Sequence, residues 1–178
     1  KLLQDGTTYQ IREVAAGTQY LLNIAQYSGD WYLVAGASSE NKVDIYKNPV
    51  DQLSSSKPLL VPVQVLKLSN PTYASFSNNA RFIMEENGRQ FSLYDAETGF
   101  GYTYTTSEPL DAPQTHAGWM DGFHLEYVSQ GKLVIFDFDS TNLQKLMPAS
   151  PDFLAFFDPN YKFVDTFAVP FSASCTWQ

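Results

Sequence analysis

Apolar and polar positions along this chain alternate too quickly, and in runs too short, for helices. Stretches rich in β-branched and aromatic residues recur instead: YLLNIA, WYLVAGA, KVDIYK, LLVPVQVLKL, RFIMEE, QFSLYDA, GYTYTT, FHLEYVS, KLVIFDF, DFLAFF and YKFVDTFAV. Clusters of Gly, Asn, Asp, Pro or Ser bound them, which is the pattern of strands separated by turns. Helical periodicity is scarce. NPVDQLSSS, from Asn48, is short and rich in Ser and suits a loop or a single turn. The pattern predicts an all-β chain.

A longer period overlies the short one. Ser28-Gly29-Asp30, Asn78-Asn79, Asp121-Gly122 and Pro159-Asn160 lie about 40 to 50 residues apart, the spacing of propeller blades. An amphipathic strand follows each turn: WYLVAG, RFIMEE, HLEYVS and KFVDTF. In the first three units a tight hairpin comes next, at Ser39-Glu40-Asn41, Asn87-Gly88 and Gln130-Gly131. A third strand then ends in Tyr46, Tyr94 or Phe136. Residues 116–150 read as one such blade, with strands THAGW, FHLEYVS, KLVIFDF and NLQKLMP. Asp-Gly and X-Gly pairs supply the positive φ that two-residue hairpins need. In this blade Leu125, Tyr127, Leu133 and Ile135 are expected to face a neighbouring blade, with His124 and Glu126 on the face opposite Leu125 and Tyr127.

The expected fold is therefore a single domain over residues 1–178, a β-propeller-like array of about four antiparallel blades. The last unit has room for two or three strands, and TTYQIREVA (residues 7–15) is a spare strand at the other end. Two closures follow. Residues 7–15 pair beside a strand from residues 152–178, or the chain forms part of a larger ring, including one completed by an edge-to-edge homodimer. The chain opens KLLQDGTTYQIREVAAG, without Met or a signal peptide, and reads as a processed product or an excised segment.

Composition narrows the partners. With 44% hydrophobic and 15% aromatic residues, 178 residues suffice for a sizeable core. A net charge of −8 opposes attraction to phosphate backbones and anionic lipid, and the basic residues form no patch. Nucleic acid is not an expected partner. No apolar run approaches the length of a membrane span, so direct membrane insertion is not expected either. Cys175 is the only cysteine and reads as a small hydrophobe, which leaves no internal disulfide and no CxxC motif.

The segment FSNNARFIMEENGRQFSLYDAETG resembles the WD40-like repeats of TolB-type bacterial propellers. Tyr94-Asp95 and Thr98-Gly99 match the repeat's aromatic-Asp strand and Thr-Gly turn. Ser77-Asn78-Asn79 stands where those repeats carry Ser-Pro-Asp-Gly. The segment WMDGFHLEYVSQGKLVIFDFDSTNLQKLMPASPDFLAFFD is similar to the C-terminal propeller of bacterial surface proteins that carry a PEGA domain, although no PEGA segment is present. The resemblance implies an extracytoplasmic binding or scaffolding module at the cell envelope or surface, and brings no catalytic residues.

Candidate chemistry is sparse. His116 and His124 lie across a turn with no third ligand at a defined spacing, so packing or hydrogen bonding is the expected role and no metal is assigned. Asp137, Asp139, Ser140 and Asn142 lack the Gly and Glu of a calcium loop and read as turn formers. No phosphate-binding Gly loop, GxSxG elbow or HExxH motif is present, and no cofactor is expected. Tyr102 and Tyr104 on GYTYTT, and Trp177, are candidates either for partner binding or for covering a neighbouring blade.

Two functions compete. The favoured one is a noncatalytic module that binds protein or glycan through the face loops SEPLDAPQTH and PASPD, with Asp111, His116 and Asp152 as binding residues. The alternative is a fragment of a propeller-type glycoside hydrolase that pairs two carboxylates drawn from Glu85, Glu86, Asp111, Glu126 and Asp152.

Overall fold

The computed structural model describes residues 1–14, 19–56, 58–158, 160–162 and 164–167. The chain begins with a hairpin, β1 (Leu2–Gln4) and β2 (Thr7–Tyr9). Three four-stranded antiparallel meanders follow. The first holds β3 (Tyr20–Tyr27), β4 (Asp30–Ala37), β5 (Val43–Lys47) and β6 (Gln64–Leu66). The second holds β7 (Tyr73–Phe76), β8 (Phe82–Asn87), β9 (Gln90–Asp95) and β10 (Gly101–Thr105). The third holds β11 (Gly118–Trp119), β12 (His124–Ser129), β13 (Lys132–Asp137) and β14 (Gln144–Pro148). In each the spatial order is the chain order. A two-stranded unit, β15 (Phe156–Phe157) with β16 (Val164–Asp165), comes last. Asn48 leads into one short helix, α1 (Pro49–Ser54), with Pro in the first turn where its missing N–H costs nothing.

Hairpin chemistry sets the registers. Gln130 and Gly131 take φ of 53° and 69° between Ser129 and Lys132, as a two-residue primed turn requires. In the second sheet the two loop residues are Gly88-Arg89, one later than expected, because Asn87 pairs with Gln90. The Ser77-Asn78-Asn79 turn holds itself together. Ser77 Oγ donates to Asn79 Oδ1 at 2.8 Å, and the amides of Arg81 and Phe82 donate to Asn79 Oδ1 and Ser77 Oγ.

The middle strands lack simple polar-apolar alternation because both of their faces are covered. β4 is buried from Tyr32 to Ala37, β8 from Phe82 to Glu86, and β12 from Leu125 to Ser129. Sheets one and two meet through Leu21, Tyr32, Val34, Ile45 and Leu66 against Ile83 and Tyr94. Sheets two and three meet through Met84, Phe91 and Leu93 against Leu125, Tyr127, Val134 and Phe136. Val128, Leu133 and Ile135 pack on Ala155, Phe157 and Val164 beside the last unit. Leu125 and Tyr127 therefore face the preceding sheet, whereas Leu133 and Ile135 face the following one. Register explains the split, since Leu125 lies opposite Phe136 and Glu126 lies opposite Ile135.

A side-chain pair closes each of the three four-stranded sheets where its second strand begins and its third ends. Lys47 pairs with Asp30 at 2.7 Å, Arg81 with Asp95 at 2.7 Å, and His124 with Asp137 at 3.4 Å. Tyr102 and Tyr104 turn toward the third sheet, packing on Phe138, and on Phe91 and Phe136, respectively.

The expected pairing of residues 7–15 with the C-terminal segment is not found among the described residues. Asp5-Gly6, at φ 48° and 76°, folds the chain back so that β2 pairs with β1, and β16 pairs with β15. Pro159, Cys175 and Trp177 lie outside the described residues.

Candidate functional site

Three segments lead into the first strands of consecutive sheets, and their side chains converge at one end of the array. Gln19 precedes β3 and donates from Nε2 to Thr72 O at 3.2 Å. Thr72 precedes β7, its amide donating to Glu86 O at 2.8 Å. His116 comes two residues before β11 and stacks on the Tyr73 ring, with centroids 3.9 Å apart. With Asn87, Gly88 and Thr115 these residues line a recess of about 590 Å³. Burial lowers the His116 pKa below the ordinary value, so the imidazole is neutral at pH 7. Thr115 Oγ1 lies 3.1 Å from its Nδ1. The recess offers a stacked aromatic pair surrounded by neutral amide and hydroxyl groups.

A second, more apolar groove of about 730 Å³ lies between the N-terminal segment and the outward face of the first sheet. Ile11, Val14, Tyr20, Leu22, Ile24 and Leu33 line it. Arg12 fixes its wall, donating to both Glu40 oxygens at 2.7 Å and to Ala35 O at 3.0 Å and pairing with Asp44 at 2.8 Å. Nothing in the local sequence distinguishes Arg12 from the other scattered basic residues, because its partners lie 23 or more positions away.

Of the three predicted binding residues, only His116 lines the recess. Asp111 caps the β12–β13 hairpin, accepting the amides of Gln130 at 3.0 Å and Gly131 at 2.7 Å. Asp152 accepts Ser150 Oγ at 2.9 Å. An Asp111→Ala variant is expected to lose about 1–2 kcal/mol of stability, measurable by urea denaturation, because two amides lose a charged acceptor.

The two histidines do not meet in one site. His124 Nδ1 lies 2.7 Å from Asp121 and its Nε2 lies 3.4 Å from Asp137. Asp137 and Asp139 serve the following turn, accepting Asn142 Nδ2 at 2.6 Å and Thr141 Oγ1 at 2.6 Å respectively. Among the described residues no group of three or more His, Cys, Asp or Glu is placed to hold a metal ion, and no helix is long and apolar enough to cross a membrane.

The candidate carboxylates are dispersed. Glu85 and Glu86 are fully buried and Glu126 is 4% exposed. As neighbours on one strand, Glu85 and Glu86 point to opposite faces, toward the first and third sheets. Glu126 faces the last unit, where it accepts the amide of Ala155. Nothing in the flanking sequence marks these three acids as buried. Their burial depends on sheets contributed by distant parts of the chain.

Comparison of the sequence with protein-family models and with curated proteins finds no match in either.

Proposed function

We propose that this chain is a noncatalytic binding module, built as a propeller-like array of blades and using its connector loops to engage a protein or glycan. The observation that carries this reading is the separation of the buried glutamates. Glu85, Glu86 and Glu126 occupy three different inter-sheet interfaces, whereas glycoside hydrolysis needs two carboxyls about 5–10 Å apart across one cleft. Asp111 and Asp152 are engaged in shaping their own loops. The recess beside His116 suits a neutral ligand that stacks on an aromatic ring and exchanges hydrogen bonds with amides and hydroxyls.

The meander order of the three sheets, and their face-to-face stacking, support a propeller over a two-sheet sandwich. Exposed Tyr20, Leu22 and Ile24 at one end, and Phe153, Leu154 and Phe156 at the other, support membership of a larger ring, for which a homodimer is one construction. The TolB-like and PEGA-associated resemblance of the sequence supports a module outside the cytoplasm, at the cell envelope or surface.

A glycan and peptide array run beside a glycoside-hydrolysis screen tests the reading. The expected result is retention of a ligand without turnover, with affinity reduced about tenfold in Tyr73→Ala or His116→Ala. Turnover abolished by one Glu→Ala or Asp→Ala change would establish the hydrolase instead.

A further inference from the structure

We propose that the packing between consecutive sheets is controlled by protons, through one buried carboxyl at each of three successive interfaces: Glu85, Glu86 and Glu126. The device is independent of what the loops bind. It rests on how these side chains are enclosed.

Glu85 projects from β8 toward the first sheet, flanked on its own sheet by Ala74 and Ser92. Among the described residues neither of its carboxyl oxygens has a hydrogen-bond partner. The ionisable side chains of that interface are the phenols of Tyr27, Tyr32 and Tyr94, with the Lys47–Asp30 pair near Tyr32 and Arg81 near Tyr27. Burial alone acts on Glu85 and pushes its carboxyl up to about 8.

Glu86 projects the other way, and its two oxygens lie 3.0 and 2.9 Å from the Ala117 amide, which donates to the carboxyl. Tyr73 and Tyr104 of its own sheet feel its charge, Tyr127 faces it from the third sheet, and His116 stacks on Tyr73. None of these groups is cationic at neutral pH. Burial pushes Glu86 up to about 8 in spite of the amide.

Glu126 repeats the arrangement at the third interface. Its carboxyl accepts the Ala155 amide, and its Oε2 has no hydrogen-bond partner among the described residues. Gly118 leaves room beside it: a Cβ added at Gly118 would come within 3.3 Å of both Glu126 Oε1 and Leu154 Cδ2. On the same face of β12 is His124, already placed between Asp121 and Asp137, while Asp165 of β16 is exposed. Burial raises Glu126 to about 7.

Ala117 and Ala155 each lie immediately before the first strand of the following unit. Glu86 and Glu126 thus tie one unit to the start of the next. Each of the three carboxyls binds its proton more tightly when the sheets are packed than when they are apart. Their contribution to packing is complete below the ordinary glutamate value of 4.5 and is lost progressively as pH rises toward 7–8. The array is held closed in mild acid and loosens in mild alkali, between the sheets rather than within them.

The test measures thermal midpoints by near-ultraviolet circular dichroism from pH 5 to 9, for the wild type and for Glu85→Gln, Glu126→Gln and the double variant. Glutamine keeps the shape and the carbonyl acceptor but cannot ionise. The wild-type midpoint is expected to fall by about 5 °C or more between pH 5 and pH 8.5. The double variant should match the wild type at pH 5 and exceed it at pH 8.5. Variants whose pH profile runs parallel to the wild type overturn the proposal. If a variant fails to fold, ¹³C-detected titration of the wild-type glutamate carboxyls decides the question. Three carboxyls with midpoints above about 6.5 support it, and all carboxyls titrating near 4 to 5 overturn it.

Discussion

Replacing Phe136 by alanine is expected to lower the unfolding free energy by about 3–5 kcal/mol, the usual cost of removing a buried phenylalanine. Phe136 lies on β13 with no exposed surface, between the second and third sheets. Its ring meets Phe91, Tyr104 and Tyr127 with centroids 5.8, 6.4 and 5.5 Å away, each near edge-on. The truncation leaves a cavity among side chains from two sheets, and neither sheet can collapse into it without giving up its own register. Ile135, the next residue, faces the last unit and is only half-buried. Ile135→Ala should cost clearly less than Phe136→Ala, and His124→Ala, on a partly exposed side chain, less again. Urea denaturation of the three variants gives the order; an equal loss at Phe136 and Ile135 would contradict the assignment of faces.

Asp95→Ala is expected to cost about 3 kcal/mol, near the lower end for breaking a buried pair, because Arg81 keeps Glu97 as a second partner. The Asp95 carboxylate is 1% exposed and accepts four hydrogen bonds: Arg81 Nε at 2.9 Å, Arg81 Nη2 at 2.7 Å, the Glu97 amide at 2.9 Å and Thr98 Oγ1 at 2.8 Å. Burial works against its charge, but Arg81, Thr98 and the Glu97 amide outweigh burial and hold the pKa below the ordinary aspartate value. Its stabilisation is therefore present above pH 4 and lost as pH falls below the ordinary aspartate value of 3.8. That trend is opposite to the one for the interface glutamates, which places the wild-type stability maximum in mild acid. Asp95→Ala should lower the stability plateau and remove part of the acid-side decline. An unchanged acid limb in Asp95→Ala would show that other carboxylates carry it.

The strands and most of their hairpins were legible because their signals are local. Gln130-Gly131 marks its own turn, and Tyr94-Asp95 with Thr98-Gly99 marks the end of β9, where Asp95 both caps the turn and pairs with Arg81. Signals split between distant segments were not legible. Glu85 and Glu86 look like solvent-facing acids in RFIMEE, because the sheets that enclose them come from residues around 20–66 and 117–136. The inward turn of Tyr102 and Tyr104 depends on their register with β9, where Tyr104 lies opposite Phe91. At the N-terminus Asp5-Gly6 is itself a turn signal, and it closes the β1–β2 hairpin.

The recess shows the same division. His116 was visible as one of two histidines, yet the Tyr73 ring beneath it and the Gln19 and Asn87 amides around it come from two other sheets. Asp111 was visible as a polar residue of a long connector, and the hairpin it caps lies 19 residues further on.

Face-to-face stacking of consecutive meanders is tested most directly by a nuclear Overhauser spectrum. Trp119 Nε1 donates to Ser75 Oγ at 3.0 Å across the second interface, so its indole proton should show cross-peaks to the Ser75 β-protons. The Met84 methyl should likewise reach side-chain protons of the third sheet's inward cluster. Both sets of cross-peaks, alongside the cross-strand peaks within each meander, are the predicted result. Intact cross-strand peaks with no contact between Trp119 and Ser75, or between Met84 and the third sheet, would contradict it.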